Sequence, residues 1–153
     1  MAFLSSMNIV ASGMTAQQLR LDVVAENVTN STTTRTEAGG PYRRKMVVFQ
    51  SVAGRDDFRA DMARAAGGLA PNTGASPAGG VRVTQIVEDP SPMKLVYDPA
   101  HPDANEDGYV EMPNVDMVKE MTDAMAATQA YSANVTAFNT LKSVVAKGLE
   151  IGR

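Results

Sequence analysis

Residues 4–28 read LSSMNIVASGMTAQQLRLDVVAENV, and within them Leu4, Met7, Ala11, Met14, Gln18, Leu21, Ala25 and Val28 recur at alternating steps of three and four. Such spacing keeps a narrow stripe on one side of a helix, the seam of a coiled coil. The other end of the chain repeats the pattern: Met117, Met121, Ala124, Thr128, Tyr131, Val135, Phe138, Lys142, Val145 and Leu149. Neither stripe encloses a core of its own, so a chain with a seam at both ends is expected to associate. The predicted fold is α+β and mainly α. Long N- and C-terminal helices pair as a coiled-coil-like inner domain (residues 1–31 and 113–153) around a small β-rich insert (32–112).

Working inward, the first helix should run from Leu4 to Val28, with Ser5 or Ser6 as its cap. It should dissolve over Asn30-Ser31-Thr32-Thr33-Thr34, whose short polar and β-branched side chains compete for backbone hydrogen bonds. Asn27, Asn30 and Thr33 sit at this junction. They are expected to bridge to a neighbouring chain, the alternative being a plain C-cap. Ala38-Gly39-Gly40-Pro41 is a turn, and Arg44 to Val52 reads as a strand. The basic run Arg43-Arg44-Lys45 leads straight into Met46-Val47-Val48-Phe49 and reads as a strand entry or a local salt-bridge patch. Residues 54–80 hold Gly67-Gly68, Ala70-Pro71-Asn72 and Ser76-Pro77-Ala78-Gly79-Gly80, the punctuation of a flexible loop, with a short helix over Asp57–Ala66. Val81–Glu88 and Met93–Tyr97 read as strands joined by the Pro90-Ser91-Pro92 turn. The final helix should start at Asn114, behind Pro113, with Asp116 and Glu120 at its positive end.

Composition narrows the function. Of 153 residues, 44% are apolar, enough for packed structure, but aromatics are only 5% and Trp is absent, which argues against a large aromatic-lined pocket. Ten Met residues suit surfaces that fit more than one neighbour. A net charge of -3 without a basic face gives no footprint for nucleic acid. The absence of Cys removes disulfides, Fe–S clusters and thiol catalysis. The first basic residue is Arg20, so no cleavable secretory signal is expected, and no run approaches the roughly 20 apolar residues of a membrane helix.

No chemistry emerges from the motifs. Asp103-Ala104-Asn105-Glu106-Asp107-Gly108 matches the first half of an EF-hand loop, but its twelfth position is Asn114 instead of a bidentate Glu. An Asx-rich turn is expected there, with His101 a solvated loop residue. The three Asn-x-Ser/Thr triplets, at Asn27, Asn30 and Asn134, lie partly in predicted helix and read as coincidence. No glycine-rich stretch leads into Lys-Ser/Thr, so no phosphate loop is present. No catalytic residue, metal ligand or cofactor is assigned, and the chain is not expected to be an enzyme.

Three separated motifs, in order, carry a resemblance. Ala25-Glu26-Asn27-Val28-Thr29-Asn30-Ser31-Thr32-Thr33-Thr34-Arg35 looks like the Ala-Asn-Asn-Ile-Ala-Asn-x-Asn-Thr motif of axial proteins of the bacterial flagellum. Thr36 to Lys45 narrows this toward a rod subunit. Tyr97-Asp98-Pro99, Asp107-Gly108-Tyr109-Val110-Glu111-Met112-Pro113-Asn114-Val115-Asp116, and Ala130-Tyr131-Ser132-Ala133-Asn134-Val135 with Ala137-Phe138-Asn139 agree. The chain thus resembles the flagellar rod and hook axial family, nearest to a proximal-rod subunit of the basal body, over residues 1–50 and 81–153. Glu26 stands where the family carries Asn, and Gln129 where many relatives carry Arg.

The resemblance implies a structural protein that polymerises with its own copies and other rod proteins into the shaft that crosses the periplasm. It implies export through the flagellar type III apparatus without signal cleavage, no cofactor, no nucleic acid and no direct membrane insertion. On that reading the assembly interface comprises Leu4, Met7, Ala11, Met14, Leu21, Ala25, Asn27, Val28, Asn30 and Thr33 with Met117, Met121, Tyr131, Val135, Phe138, Val145 and Leu149. The alternative is a helical adaptor that binds one partner helix.

Overall fold

The computed structural model describes residues 2–52, 62 and 79–151. The loop expected over 54–80, and the short helix expected within it, fall outside the described residues apart from Met62, Gly79 and Gly80. In chain order the elements are α1 (Ala2–Thr29), β1 (Lys45–Ser51), β2 (Val81–Glu88), β3 (Lys94–Tyr97), β4 (Tyr109–Met112) and α2 (Met117–Ile151). Two long terminal helices thus flank a small two-sheet insert. Among the described residues no helix is long and apolar enough to cross a membrane.

α1 contains no Pro and a single Gly, and it begins at Ala2, ahead of Ser5 and Ser6. Those serines lie inside the helix and neither is its cap. Its end is closed by the polar side chains that follow: Thr29 Oγ1 donates to Ala25 O at 2.8 Å and Asn30 Nδ2 to Glu26 O at 2.9 Å. These side chains add a second donor to carbonyls of the last turn, where Glu26 O also accepts Asn30 N at 3.0 Å. The chain then reverses through Gly39 and Gly40, both left-handed at φ 82° and 86°, a conformation that costs glycine nothing.

α2 starts later than expected. Asp116 Oδ1 accepts Val118 N at 3.0 Å, so Asp116 is the N-cap. Asn114 is drawn elsewhere: its Oδ1 accepts Arg44 N at 2.8 Å, and its Nδ2 donates to Asp89 O and Ser91 O. Thr122, Thr128, Thr136 and Thr140 each bond back to the carbonyl four residues earlier, which lets threonine persist inside the helix.

The strands form two ribbons, β1 with β2 and β3 antiparallel with β4, in the register Lys94↔Met112, Leu95↔Glu111, Val96↔Val110 and Tyr97↔Tyr109. The two strands joined by the Pro90-Ser91-Pro92 turn, β2 and β3, therefore lie in different ribbons. Asp89 N donates to Arg44 O, and Asp89 Oδ1 accepts Ser91 N at 2.9 Å. With two prolines lacking N–H groups beside it, this segment passes the chain from one ribbon to the next instead of folding it back. β4 gave no signal of its own in the sequence, since four residues are too few to show a period.

The chain divides into two compact units: Met1–Ala16 with Phe49–Thr84 and Tyr131–Arg153, and Gln17–Val48 with Gln85–Ala130. In the first, Ser12 Oγ accepts Val81 N at 3.0 Å and donates to Ile9 O at 2.7 Å. Gly80 passes close by at φ 114°, where an added Cβ would lie 2.2 Å from Ser12 Oγ. Gly13 brings α1 against Asn134 of α2, whose Nδ2 lies 3.0 Å from where a Cβ would stand. The second unit buries Val23, Val24, Tyr42, Val110, Val115 and Ala127, together with the polar Asn27, Arg44 and Glu120.

Candidate functional site

In the second unit the helices and the entry to β1 meet at a buried polar junction centred on Asn27 and Glu120, which are 1% and 0% exposed. Asn27 lies in the last turns of α1, three residues on from the buried Val24. Its Oδ1 accepts Tyr42 Oη and Lys45 N, each at 2.9 Å. Its Nδ2 donates to Lys45 O at 2.9 Å and to Glu120 Oε2 at 3.0 Å. One amide therefore ties α1, the start of β1 and α2 together with every donor and acceptor position filled. Within the single chain the Asn27 amide is bonded to Tyr42, Lys45 and Glu120. Asn30 serves as a cap, its Oδ1 accepting Thr33 Oγ1 at 3.2 Å.

Glu120 is held on its other oxygen by Arg44 Nε at 2.5 Å. The same guanidinium reaches Asp123 Oδ2 at 3.2 Å and Asp89 Oδ2 at 3.6 Å, and Arg20 Nη2 meets Asp123 Oδ1 at 3.2 Å. Lys45 Nζ pairs with Glu26 and stands 5.6 Å from the Tyr42 ring centroid. The basic run at 43–45 is thus both a strand entry and a salt-bridge patch.

The electrostatics follow from burial and these partners. Burial, followed by the charges of Glu26, Glu120 and Glu88, raises the Tyr42 phenol from 10.0 to about 12. Burial works against charge on Arg44, but the Glu120 hydrogen bond and the charges of Glu120, Asp123 and Asp89 outweigh it and raise the pKa. Asp89 is lowered first by the two hydrogen bonds from Ser91 and then, against a small burial effect, by Arg44. A buried ion pair adds little net stability, but removing one partner strands the other charge. The junction therefore acts as a clamp on the register of α1 against α2, with its carboxylates engaged by cations or serine.

The loop between β3 and β4 is built from Asx turns. Asp98 Oδ1 accepts Ala100 N at 3.1 Å, Asn105 Oδ1 accepts Asp107 N and Tyr109 N, and Gly108 stands at φ 80°. His101 Nδ1 accepts Asp103 N at 3.1 Å. Among the described residues no three His, Cys, Asp or Glu side chains gather as metal ligands would.

The anticipated interface residues fall into three groups. Leu4, Ala11, Ala25, Met117, Met121 and Leu149 are exposed; Leu4, Met121 and Leu149 are 64%, 57% and 71% accessible. Met7, Met14, Leu21, Val28, Asn30, Thr33, Tyr131, Val135, Phe138 and Val145 are half-buried, and Asn27 is buried. The contacts within the chain run along a different row: Gly13, Ala16, Arg20, Val23 and Asn27 on α1, and Glu120, Asp123, Ala127 and Asn134 on α2. Apolar spacing passes over that row because its members are small, charged or amide side chains. The signal that could have found Glu120 is an acid one turn into α2 in a chain that also carries an arginine-led strand.

A subunit with terminal helices, a strand insert and outer stripes left bare has the architecture of an axial polymer. Two family models match its ends: flagella basal body rod protein over residues 7–35 and flagellar basal body rod FlgEFG protein C-terminal over residues 106–151. The class is that of the flagellar rod proteins. Over essentially its whole length the chain is similar to flagellar basal-body rod protein FlgC of Bacillus subtilis (46% identical, 97% of each chain). It is likewise similar to FlgC of Borreliella burgdorferi (43%, covering 99% of this chain and 98% of the relative) and of Escherichia coli O157:H7 (42%, all of both chains). The chain belongs to the FlgC family of flagellar basal-body rod proteins.

Proposed function

We propose that this chain is a structural subunit of the proximal rod of the bacterial flagellar basal body, and that it polymerises with its own copies and with other rod proteins. The terminal segments 1–31 and 113–153 form the inner-tube domain, and the residues between them form the outer insert. The observation that carries this reading is the bare outer row. Leu4, Met117, Met121 and Leu149 lie at seam spacing, yet one chain leaves them exposed. Neighbouring helices stacked around an axis would cover such a row. Because the surfaces that meet differ, the contact repeats without closing and gives an open polymer instead of a dimer.

The subunit passes through the flagellar type III export apparatus unfolded, with no signal removed, and is used within the periplasm. The fold supports this in one respect: it contains no Cys, so nothing in its folding waits on an oxidising compartment.

The test is Met121→Asp, alone and with Leu149→Asp. Both side chains are exposed in the single chain, so the purified subunit should keep its circular dichroism and melting temperature. In the rod each would bury an unpaired charge, costing several kcal/mol, of order 3, at every copy. Export at normal levels with loss of rod completion and motility is the expected outcome. Normal swimming of the double variant would contradict the reading.

A further inference from the structure

The β3–β4 ribbon has two unlike faces. On one, Val110 is 1% exposed, Met112 is half-buried, Lys94 Nζ reaches Val115 O at 2.6 Å, and Val96 is 42% exposed. On the other, successive residues of the register, Leu95↔Glu111 and Tyr97↔Tyr109, point away from the unit that the ribbon belongs to. Leu95 and Tyr97 are 64% and 65% exposed and Tyr109 is 44% exposed. The two tyrosine rings already pack edge to face, with centroids 5.3 Å apart, so they present a preformed aromatic surface. A two-stranded ribbon is marginal by itself and gains from cover on its open face.

The sequence of this ribbon and its loop is acidic, with Asp103 alone reached by a cation among the described residues, Arg35 Nη1 at 4.0 Å. From Leu95 to Met112 the sequence holds five carboxylates, Asp98, Asp103, Glu106, Asp107 and Glu111, and no Lys or Arg. All five residues are exposed. The far end of α2 shows the opposite character. Between Ala124 and Ile151 its charged side chains are Lys142, Lys147 and Glu150, all exposed, a net positive end. Val144 and Leu149, 59% and 71% exposed, stand beside them. Lys147 lies three residues on from Val144 and Leu149 seven from Lys142, so each pairs an apolar side chain with a cation on one side of the helix.

We propose that the open face of the β3–β4 ribbon docks on the C-terminal end of α2 of a second copy of this chain. Tyr97, Tyr109 and Leu95 cover Val144 and Leu149, while the acidic rim faces Lys142 and Lys147. Each subunit offers both surfaces once, and they differ, so the contact is head-to-tail and propagates along an assembly. The inference rests on the rod-subunit reading and names one contact within it, in which the ribbon covers the Leu149 end of the exposed helical row. Charge complementarity sets which surface the aromatic patch accepts, and apolar cover supplies the hold.

The absence of native Cys makes the test direct. Cells would carry two versions of the chain as their only copies, Tyr97→Cys and Leu149→Cys, and their basal bodies would be purified and oxidised. A crosslinked dimer that needs both versions, and is lost with either alone, is expected. Adding Asp98→Lys and Asp107→Lys to the first version should abolish the dimer, and Lys142→Glu with Lys147→Glu on the second should restore it. Basal bodies that contain both versions but give no mixed dimer would overturn this contact and leave the rod reading standing. Dimers formed by Tyr97→Cys alone would overturn it too, in favour of a symmetric ribbon contact. Absence of the unmodified chain from purified basal bodies would remove both the contact and the reading beneath it.

Discussion

The two compact units hold the same two helices in different ways. In the unit of Gln17–Val48 and Gln85–Ala130, helices and strand entry close on a saturated network of Asn27, Tyr42, Arg44 and Glu120, with Val23, Val24, Val110, Val115 and Ala127 packed around it. In the unit of Met1–Ala16, Phe49–Thr84 and Tyr131–Arg153, Ala16 is the one apolar side chain among the described residues that reaches full burial. Its described contacts are a close approach at Gly13 and the Ser12 hydroxyl on β2. The difference separates two tasks. One unit carries the buried polar network, and in the other the described helix residues are mostly exposed or half-buried, the surface that the rod-subunit reading proposes for contact with neighbours.

Breaking the clamp should have the largest effect. Glu120→Ala leaves Arg44 buried without its closest partner and unties Asn27 Nδ2, and removal of one member of a buried pair costs about 3–5 kcal/mol. Urea unfolding should show the loss, and Arg44→Met added to Glu120→Leu should recover most of it. A loss for Glu120→Ala no larger than that of an average surface substitution would mean that the clamp does not hold the fold.

Tyr42 sharpens the contrast by pH. Its folded-state pKa is raised from 10.0 to about 12, so its contribution is whole below pH 10 and is lost as the pH climbs toward 12. By linkage this is on the order of 2 kcal/mol. Denaturation midpoints measured from pH 9 upward should fall, and Tyr42→Phe should flatten that fall while removing the hydrogen bond to Asn27.

The smallest effect is expected in the other unit. Gly13→Ala sets a Cβ 3.0 Å from the movable amide end of Asn134 and gains helix propensity of up to about 1 kcal/mol. These oppose each other, so the melting temperature of the isolated chain should shift by only a few degrees, within about 0.5 kcal/mol. A large loss would show that the close approach at Gly13 is as decisive as the polar clamp.

Much of this was legible beforehand. Both helices, the three strand segments 44–52, 81–88 and 93–97, and the turn at Gly39-Gly40 stand close to where periodicity and turn chemistry put them. The pairing of the strands was not legible. The Pro90-Ser91-Pro92 turn joins β2 to β3 along the chain, but only Asn114, from a distant part of the sequence, binds the carbonyls of Asp89 and Ser91 there. The inner row of the helix pair was hidden for a related reason. Hydrophobic spacing ranks Met121 above Glu120, whereas the fold leaves Met121 57% exposed and buries Glu120 against Arg44, which neutralises it. Asn27 stood out as a motif residue, but its four bonds depend on Tyr42, Lys45 and Glu120, which only the tertiary structure brings together.

Amide hydrogen exchange, read residue by residue on the isolated subunit and again on assembled rods, tests the central claim most directly. In the isolated chain, residues 17–29 and 117–130 should be protected, while residues 4–16 and 131–149 exchange quickly, because a helix without tertiary cover is marginal. In rods the second set should slow to match the first. Equal, full protection of residues 4–29 in the isolated subunit would contradict the account.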